Sequence, residues 1–353
     1  MHRIHQKKES IRQMKILITG ASGFIGSFMV EHALTLGWSV WAAVRPHSKT
    51  TWLTDSRINF IHLPLNDENT LRQSLSTFKE KEGRWDYIIH AAGLTKARRK
   101  EDFMKVNYEG TRHLVSLLQE LGMTPKQFVF ISSLSVMGAP KEKPEPSGQF
   151  RYAPLCCTDE PQPNTAYGVS KWAAEQYLNS LQDFPTVILR PTGVYGPREH
   201  DYFLLAQSIQ RHIDFSVGFQ PQEITFIYVK DLVKAAFLAL QQAQPGQIFL
   251  LSDGNTYNSR MFSDLIQRQL GVKWLLRIKA PLWLLYVICQ FGELMAAITH
   301  QPCTLNRDKY IILKQRNWRL DLTPVLQLGF RPEYDLEAGV NETIHWYQQE
   351  KWI

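Results

Sequence analysis

The chain is poor in cysteine, with four in 353 residues: Cys156, Cys157, Cys289 and Cys303. They form no CxxC pair and no combination with histidine at the spacing of a zinc site, so no metal centre is predicted. The adjacent Cys156 and Cys157 are badly placed for a disulfide with each other. Reduced thiols are typical of cytoplasmic proteins, and a cytoplasmic location is therefore expected.

Other signals are missing too. There is no internal repeat or low-complexity tract, and the polar residues 1–13 lack the apolar core of a secretory signal. These residues are compatible with a native tail or with an upstream start. Lys and Arg (40) exceed Asp and Glu (33), which gives a net charge of +7. No basic stripe with interleaved aromatics accompanies that charge, so no nucleic-acid partner is expected. The charge suits an anionic cofactor or membrane face, or it has no specific meaning.

Long apolar runs are scarce, and the exception is Ala280–Thr299. Its length matches a bilayer core of about 30 Å, but Gln290 and Glu293 interrupt it, and Pro281 and Gly292 weaken it as a helix. Three interpretations are open: a spanning helix, an ordinary core helix, and an apolar helix that lines a pocket or lies on a membrane surface. We favour the third interpretation and expect a peripheral membrane contact through residues 280–299.

Apolar strand-like runs alternate with helix-like segments through the first half of the chain. This pattern predicts an α/β protein with a Rossmann-like, doubly wound parallel sheet and a smaller, discontinuous C-terminal substrate lobe. Single helices are predicted over Phe103–Leu121 and Ala166–Leu181. The expected parts are an N-terminal tail (1–13), a dinucleotide-binding domain (14–190, rejoined by the strand–helix–strand segment 224–252) and a substrate-binding lobe (191–223 and 253–353).

A glycine turn, Gly20-x-x-Gly23-x-x-Gly26, follows the first predicted strand and opens a helix. Such glycines allow a tight turn, a close approach to a pyrophosphate and close packing of helix on strand. Ligands of this kind of sheet bind at the carboxyl ends of the strands. The residues expected to contact a dinucleotide are Gly20, Ser22, Gly23, Phe24, Ile25, Gly26, Arg45, Lys49, Leu65, Ala91, Ala92, Gly93, Tyr167, Lys171, Pro191 and Val194.

Arg45 ends the second predicted strand, where an acid would bind the ribose 2′-hydroxyl and an arginine accommodates a 2′-phosphate. Lys49 is near enough in sequence to assist, and Ser22 is able to donate a hydrogen bond from the glycine turn. NADP(H) is therefore favoured. An Arg45 that only stacks on the adenine would permit NAD(H) as well.

Tyr167 and Lys171 are four residues apart on one predicted helix face. An ammonium group and a positive nicotinamide ring both stabilise a phenolate, so the pKa of Tyr167 is expected to fall toward neutrality. Ser133 follows the fifth predicted strand and is placed to hydrogen-bond a substrate oxygen. Asn107 has two interpretations: it holds a water and the lysine in register, or it satisfies a helix backbone.

Ordered motifs then resemble a known family: TGASGFIG at 19–26, HAAGL at 90–94, VNYEGT at 106–111, SSLSVMG at 132–138, YGVSK at 167–171, RPTGVYGP at 190–197 and YVKDL at 228–232. Together they resemble the extended short-chain dehydrogenase/reductases of the epimerase/dehydratase family, in character closest to the 3β-hydroxysteroid dehydrogenase and dihydroflavonol reductase branch. The resemblance implies that Tyr167 is the acid/base, Lys171 its modulator, Ser133 the substrate-oxygen donor and Asn107 a supporting residue. It also implies a homodimer through the two helices predicted above.

The resemblance leaves two activities open. The favoured activity is that of an NADP(H)-dependent oxidoreductase, which interconverts a ketone and a secondary alcohol on a steroid-like or long-chain lipid substrate. Three features favour it: Arg45, the apolar region 274–299, and Met137 at a position where sugar-nucleotide enzymes usually carry tyrosine. The alternative is a nucleotide-sugar epimerase or dehydratase with tightly bound NAD. One departure concerns Pro64, which replaces an aspartate common in the family and leaves the Leu65 backbone to contact the adenine.

Overall fold

The computed structural model describes residues 13–97, 99–144, 151–299 and 306–353, without the side chains of residues 293–294 and 296–299. All but the last residue of the predicted tail 1–13 lies outside these ranges, as does Cys303. The strands are β1 (Lys15–Thr19), β2 (Ser39–Val44), β3 (Asn59–His62), β4 (Tyr87–His90), β5 (Gln127–Ile131), β6 (Thr186–Pro191), β7 (Gly193–Tyr195), β8 (Ile213–Val217), β9 (Phe226–Tyr228), β10 (Ile248–Leu251) and β11 (Leu276–Ala280). The helices are α1 (Phe24–Thr35), α2 (Glu68–Glu82), α3 (Lys100–Phe103), α4 (Gly110–Glu120), α5 (Ala166–Asn179), α6 (His200–Gln210), α7 (Val229–Gln242), α8 (Met261–Leu270), α9 (Leu282–Thr299), α10 (Arg307–Lys314), α11 (Thr323–Gln327) and α12 (Leu336–Gln349).

Seven strands form one parallel sheet in the order β10-β6-β5-β4-β1-β2-β3. Neighbouring residues of a strand face opposite sides of the sheet. Accordingly Ile16 and Ile18 of β1 belong to one hydrophobic cluster and Leu17 to the other. Burial on both faces explains why these strands are continuous apolar runs. The predicted Rossmann-like α/β fold is confirmed.

Two predicted elements differ from the structure. The helix predicted over Phe103–Leu121 is interrupted by a π-helical turn over Met104–Glu109, in which the Gly110 amide bonds to the Lys105 carbonyl five residues back. Such turns often occur at functional sites. Of the segment 224–252, only β10 joins the main sheet.

The strand β9 pairs instead with β7, which leaves the sheet just after β6. The Thr192 hydroxyl between β6 and β7 donates to the Thr225 carbonyl at 2.9 Å, and this contact ties the two short strands together. A second two-stranded ribbon, β8 with β11, leads directly into α9. Strands β7, β8 and β11 lie in the ranges predicted for the lobe (191–223 and 253–353), whereas β9 lies in the segment 224–252.

Candidate active site

The glycine turn between β1 and α1 has a conformation that only glycine supports. Gly20 has φ +69°, and a Cβ there would lie 2.7 Å from the Ala91 carbonyl oxygen. A Cβ on Gly26 would lie 2.1 Å from the Gly20 carbonyl oxygen. The turn therefore packs directly on the loop after β4, and no side chain caps α1 at Gly23. Its first amides remain available to an anionic pyrophosphate, so these residues fit a dinucleotide.

A cavity of about 500 Å³ lies at the carboxyl ends of β2 and β3. Arg45, one of the predicted cofactor residues, lines it; Lys49 and Ser22 are not among its lining residues and remain predictions. The sequence analysis missed the two histidines of this cavity, and the register of the sheet explains one of them, because His62 pairs with Val44 beside Arg45. The lining residues are Arg45, Pro46, His47, His62, Pro64 and Asn66.

The backbone of Leu65, predicted to contact the adenine, lies next to this cavity. Its carbonyl oxygen is 3.0 Å from Nδ1 of His113 on α4. That contact holds the strand end against the helix. The predicted adenine contact itself stays a prediction.

Ser133 and Tyr167 are brought together by a close approach of two elements. Ser133 starts a 3₁₀ turn at the end of β5, and α5 begins at Ala166 with Thr165 as its N-cap. A Cβ on Gly168 would lie 2.4 Å from the Ser135 carbonyl oxygen, so glycine permits this contact. The Ser133 and Tyr167 side chains are hydrogen-bonded.

Lys171 lies one turn further along α5 and is buried. Its ammonium donates to the Ile131 carbonyl at 2.9 Å and lies 4.7 Å from the centre of the Phe130 ring. Burial lowers the pKa of Lys171 to about 8, while the negative charge of Glu175 opposes this shift. The loop after β4 comes equally close, since a Cβ on Gly93 would lie 3.1 Å from the Lys171 nitrogen.

The chain's own groups do not lower the pKa of Tyr167, and the expected fall, which included the charge of a nicotinamide ring, stays a prediction. Burial raises the pKa of Tyr167 to about 12, and the Ser133 hydrogen bond only partly opposes this. A buried phenolate loses its hydration, and one hydrogen bond does not replace it. Stabilisation of the phenolate therefore depends on added positive charge nearby, such as that of a bound nicotinamide ring.

Asn107, in the π-helical turn, is fully buried and uses its amide completely. Its Oδ1 accepts from the Leu94 amide at 2.7 Å, while its Nδ2 donates to the Leu94 carbonyl at 3.0 Å and to the Ser170 hydroxyl at 2.9 Å. The side chain thus satisfies the backbone of the loop after β4 rather than that of a helix. Ser170, which links it to α5, was missed by the sequence analysis.

A buried ion pair behind Lys171 was also missed. Glu175 and Arg190 are at most 1% exposed, and Arg190 Nη2 lies 2.6 Å from Glu175 Oε2. The Ser132 hydroxyl donates to the same carboxylate, and Arg190 Nη1 lies 3.1 Å from the Met137 sulfur. The pair connects β5, β6 and α5 below the Ser133–Tyr167–Lys171 set.

The C-terminal lobe reaches this site through α10. The Asp308 carboxylate accepts a hydrogen bond from the Ala166 amide at 2.8 Å, in the first turn of the helix that carries Tyr167. Neither residue suggests the contact locally, because 142 positions separate them. Within the described side chains, no three His, Cys, Asp or Glu residues are grouped to hold a metal ion.

A glycine turn follows β1 at the carboxyl end of a seven-stranded parallel sheet, Ser133 follows β5 at the same end, and α5 brings Tyr167 and Lys171 beside Ser133. This arrangement defines a dinucleotide-dependent Rossmann-fold enzyme. The chain belongs to the NAD dependent epimerase/dehydratase family, whose model matches residues 16–252. This confirms the resemblance inferred from the motifs.

Curated relatives are similar over nearly the whole chain. It is 25% identical to a sterol-4-alpha-carboxylate 3-dehydrogenase (decarboxylating) of Candida albicans, covering 95% of this chain and 98% of that one. It is 26% identical to a ceramide reductase of Caulobacter vibrioides, covering 96% of each. Among solved structures, a UDP-glucose 4-epimerase of Thermotoga maritima with UDP-glucose matches at TM-score 0.73 and 21% identity, over 96% of this chain and 100% of that one. The structural likeness concerns the fold.

Proposed function

We propose that this enzyme is an NADP(H)-dependent oxidoreductase that interconverts a ketone and a secondary alcohol on an apolar substrate. The observation that carries the proposal is the Ser133–Tyr167–Lys171 set, together with the Arg45 cavity, which also lies at the carboxyl ends of the strands. Arg45 and the two cavity histidines offer donors for a ribose 2′-phosphate. The glycine turn offers backbone amides for the pyrophosphate.

The chain's own residues account for the proton and the orientation. A bound nicotinamide supplies or accepts the hydride. Tyr167 donates the proton to the carbonyl oxygen, and Ser133 orients that oxygen by hydrogen bonding. Lys171, fixed by the Ile131 carbonyl, stabilises the phenolate left behind and binds the ribose.

The apolar substrate is supported by the relatives. One relative is named for a sterol carboxylate and another for ceramide. Met137 gives less support, because its side chain is fully buried against Arg190. The nucleotide-sugar alternative is supported by a probable dTDP-glucose 4,6-dehydratase of Sinorhizobium fredii at 22% identity.

The test compares substrates and cofactor retention. The purified protein is assayed for NADPH oxidation with a 3-ketosteroid and a long-chain aliphatic ketone, and for turnover of UDP-glucose and dTDP-glucose. We expect reduction of a lipophilic ketone with exchangeable NADP(H), and a loss of about 10²-fold or more in Tyr167→Phe, which retains the ring but has no proton to transfer. Retained NAD with turnover of a sugar nucleotide would establish the alternative.

We further infer that the enzyme works in the cytoplasm and attaches peripherally to a membrane through a surface that includes α9. Leu285 and Cys289 form the buried stripe of this helix, whereas Trp283, Val287 and Phe291 are more than half exposed. A helix that is apolar on its exposed side is typical of interfacial helices. The described helices include none long and apolar enough to cross a membrane.

The ribbon β8–β11 extends this surface. Because side chains alternate along a strand, one face of the ribbon consists only of apolar residues, of which Phe215, Leu276 and Ile278 are exposed. Pairing places Ile278 directly opposite Phe215. The apolar face of the ribbon consists of Ile213, Phe215, Val217, Leu276, Ile278 and Ala280.

The charge of the same region favours an anionic bilayer over a second copy of the chain. Between Asp264 and Glu293 the sequence has no acidic residue but has four basic ones. Two of these, Lys273 and Lys279, have no carboxylate partner among the described residues. Basic residues beside exposed aromatics suit anionic lipid headgroups.

A further inference from the structure

A buried histidine lies between the glycine turn and the catalytic residues. His90, the last residue of β4, has no exposed surface. Its Nδ1 is 2.7 Å from the Thr19 hydroxyl at the end of β1. Its Nε2 is 3.0 Å from the Thr111 hydroxyl on α4. The imidazole therefore joins the strand that precedes the cofactor turn to the helix that follows Asn107.

The two ends of this chain of hydrogen bonds set its direction. The Ala92 amide is only a donor, and it donates to the Thr19 hydroxyl at 3.1 Å. The Asn107 carbonyl is only an acceptor, and the Thr111 hydroxyl donates to it at 2.6 Å. Each hydroxyl has one proton. Because the Thr111 proton goes to Asn107, His90 Nε2 must donate to Thr111. If the ring is neutral, Nδ1 has no proton and accepts from the Thr19 hydroxyl.

Neutrality agrees with the surroundings. Burial, and then the positive charge of Lys171, lower the pKa of His90 to about 3. The ring also stacks on Phe130 at 5.8 Å between centroids, the same ring that Lys171 covers. These surroundings favour the neutral form of His90.

The chain of hydrogen bonds holds one loop at two points. Thr19 holds Ala92, and Asn107 holds Leu94 through both its amide and its carbonyl. Between them, Gly93 lies against Lys171, and Ala91 lies against Gly20. Any displacement of this loop therefore moves the cofactor turn relative to the catalytic lysine.

We propose that His90, as the neutral Nε2–H tautomer, is a positioning residue that holds the loop Ala91–Leu94 and the Asn107 backbone in register with the cofactor turn. The proposal rests on the proposed function only for its assay of turnover. Its spectroscopic and cofactor-binding tests apply whatever the substrate is.

The tautomer is tested by ¹⁵N NMR of the histidine-labelled full chain, with His90→Phe identifying the signal. We expect a protonated Nε2, an unprotonated Nδ1 and no titration between about pH 8 and pH 5, where an ordinary histidine titrates. A protonated Nδ1, or a midpoint near pH 6.5, would overturn the proposal.

The variants Thr19→Val and Thr111→Val test the two ends of this hydrogen-bond chain one at a time. Thr19→Val releases the loop at Ala92, so we expect the NADPH Kd, measured by fluorescence titration, to rise about 5–10-fold. Thr111→Val releases Asn107, so we expect kcat to fall by a similar factor with a smaller change in Kd. The matched control is Thr343→Val in α12, which removes the same hydroxyl bond to a carbonyl four residues back at a buried site.

His90→Phe should show both defects while it retains the stacked ring. If neither threonine variant differs from Thr343→Val, His90 is a purely structural histidine and the proposal is wrong. If the wild type reduces no ketone but binds NADPH, the proposed substrate is wrong, while the Kd and NMR results still decide the role of His90.

Discussion

At the scale of single residues, Arg45 distinguishes the two cofactors. Arg45→Glu places a carboxylate where a 2′-phosphate would bind, and a carboxylate there favours a 2′-hydroxyl. We expect the KM for NADPH to rise about 10–100-fold, which corresponds to the loss of one charge-assisted hydrogen bond. The KM for NADH should fall. Arg84 is exposed and lies just before β4, at the amino ends of the strands. The control substitution Arg84→Glu should change neither KM. Equal effects on both coenzymes would mean that Arg45 only stacks on the adenine.

The charge of Glu175 should appear in the pH profile. The pKa of Lys171 is about 8, and its proton supports the phenolate, so ketone reduction should decline as the pH rises through about 8. Glu175 raises the pKa of Lys171, so Glu175→Gln should shift this alkaline limb to lower pH. Glu120→Gln, exposed on α4, is the control. An unchanged limb in Glu175→Gln would contradict the coupling.

Glu175→Gln should also destabilise the fold, because Arg190 is then buried beside a neutral partner. Breaking a buried ion pair from one side lowers the free energy of unfolding by about 3–5 kcal/mol. Denaturant unfolding measures this loss separately from the pH profile. The wild type and variant are therefore compared under conditions in which both are folded.

At the scale of elements, α10 and α5 are coupled through Asp308. A carboxylate at the first turn of a helix stabilises it, and this turn contains Tyr167. We expect Asp308→Ala to lower stability by about 1 kcal/mol and kcat several-fold, with Asp308→Asn intermediate. Asp335→Ala removes the corresponding cap of α12 and should lower stability with little change in kcat. If both alanine variants lower kcat equally, the lobe does not position Tyr167.

At the scale of the whole molecule, the apolar surface of α9 and the ribbon β8–β11 should bind a bilayer. We expect co-sedimentation with phosphatidylserine/phosphatidylcholine vesicles, weaker binding to phosphatidylcholine alone, and a decrease with salt because headgroup attraction is screened. The double substitution Phe215→Asp and Trp283→Asp should abolish binding, whereas Phe60→Asp, exposed on β3, should not. If the double variant still binds vesicles, the contact lies elsewhere. A change from dimer to monomer in gel filtration would assign this face to a second copy.

A homodimer through the helices around Asn107 and Tyr167 stays a prediction at this scale. Val106 and Val169, one in the π-helical turn and one on α5, are each more than a third exposed. Their exposure leaves apolar surface for such a contact. Because the vesicle surface belongs to other elements, the two associations are separable by variants.

The parts of the site that were predictable are local in sequence. The glycine turn was predictable because three glycines within seven residues after a strand have few uses other than a close backbone approach. Tyr167 and Lys171 were predictable because residues four apart share a helix face. Arg45 was predictable because the end of the second strand has a set place in such sheets.

The parts that were missed depend on contacts between distant segments. His62 meets Arg45 only through the register of β2 and β3, and Asp308 meets Ala166 across 142 positions. The π-helical turn has no composition signal, since it arises where Asn107 bonds the loop after β4. The chain's own groups leave the pKa of Tyr167 raised, because burial, a property of the packed chain, outweighs the hydrogen bond from Ser133.

The sequence by itself determined the family, the parallel sheet and which side chains are candidates for catalysis, because backbone turns and helix periodicity depend on neighbours within a few residues. Only the tertiary structure decided the direction of the hydrogen bonds through His90, the burial of the Glu175–Arg190 pair and the exposed apolar face of β8–β11. Each of these depends on which surfaces exclude water when remote segments pack, and that packing determines both protonation and exposure.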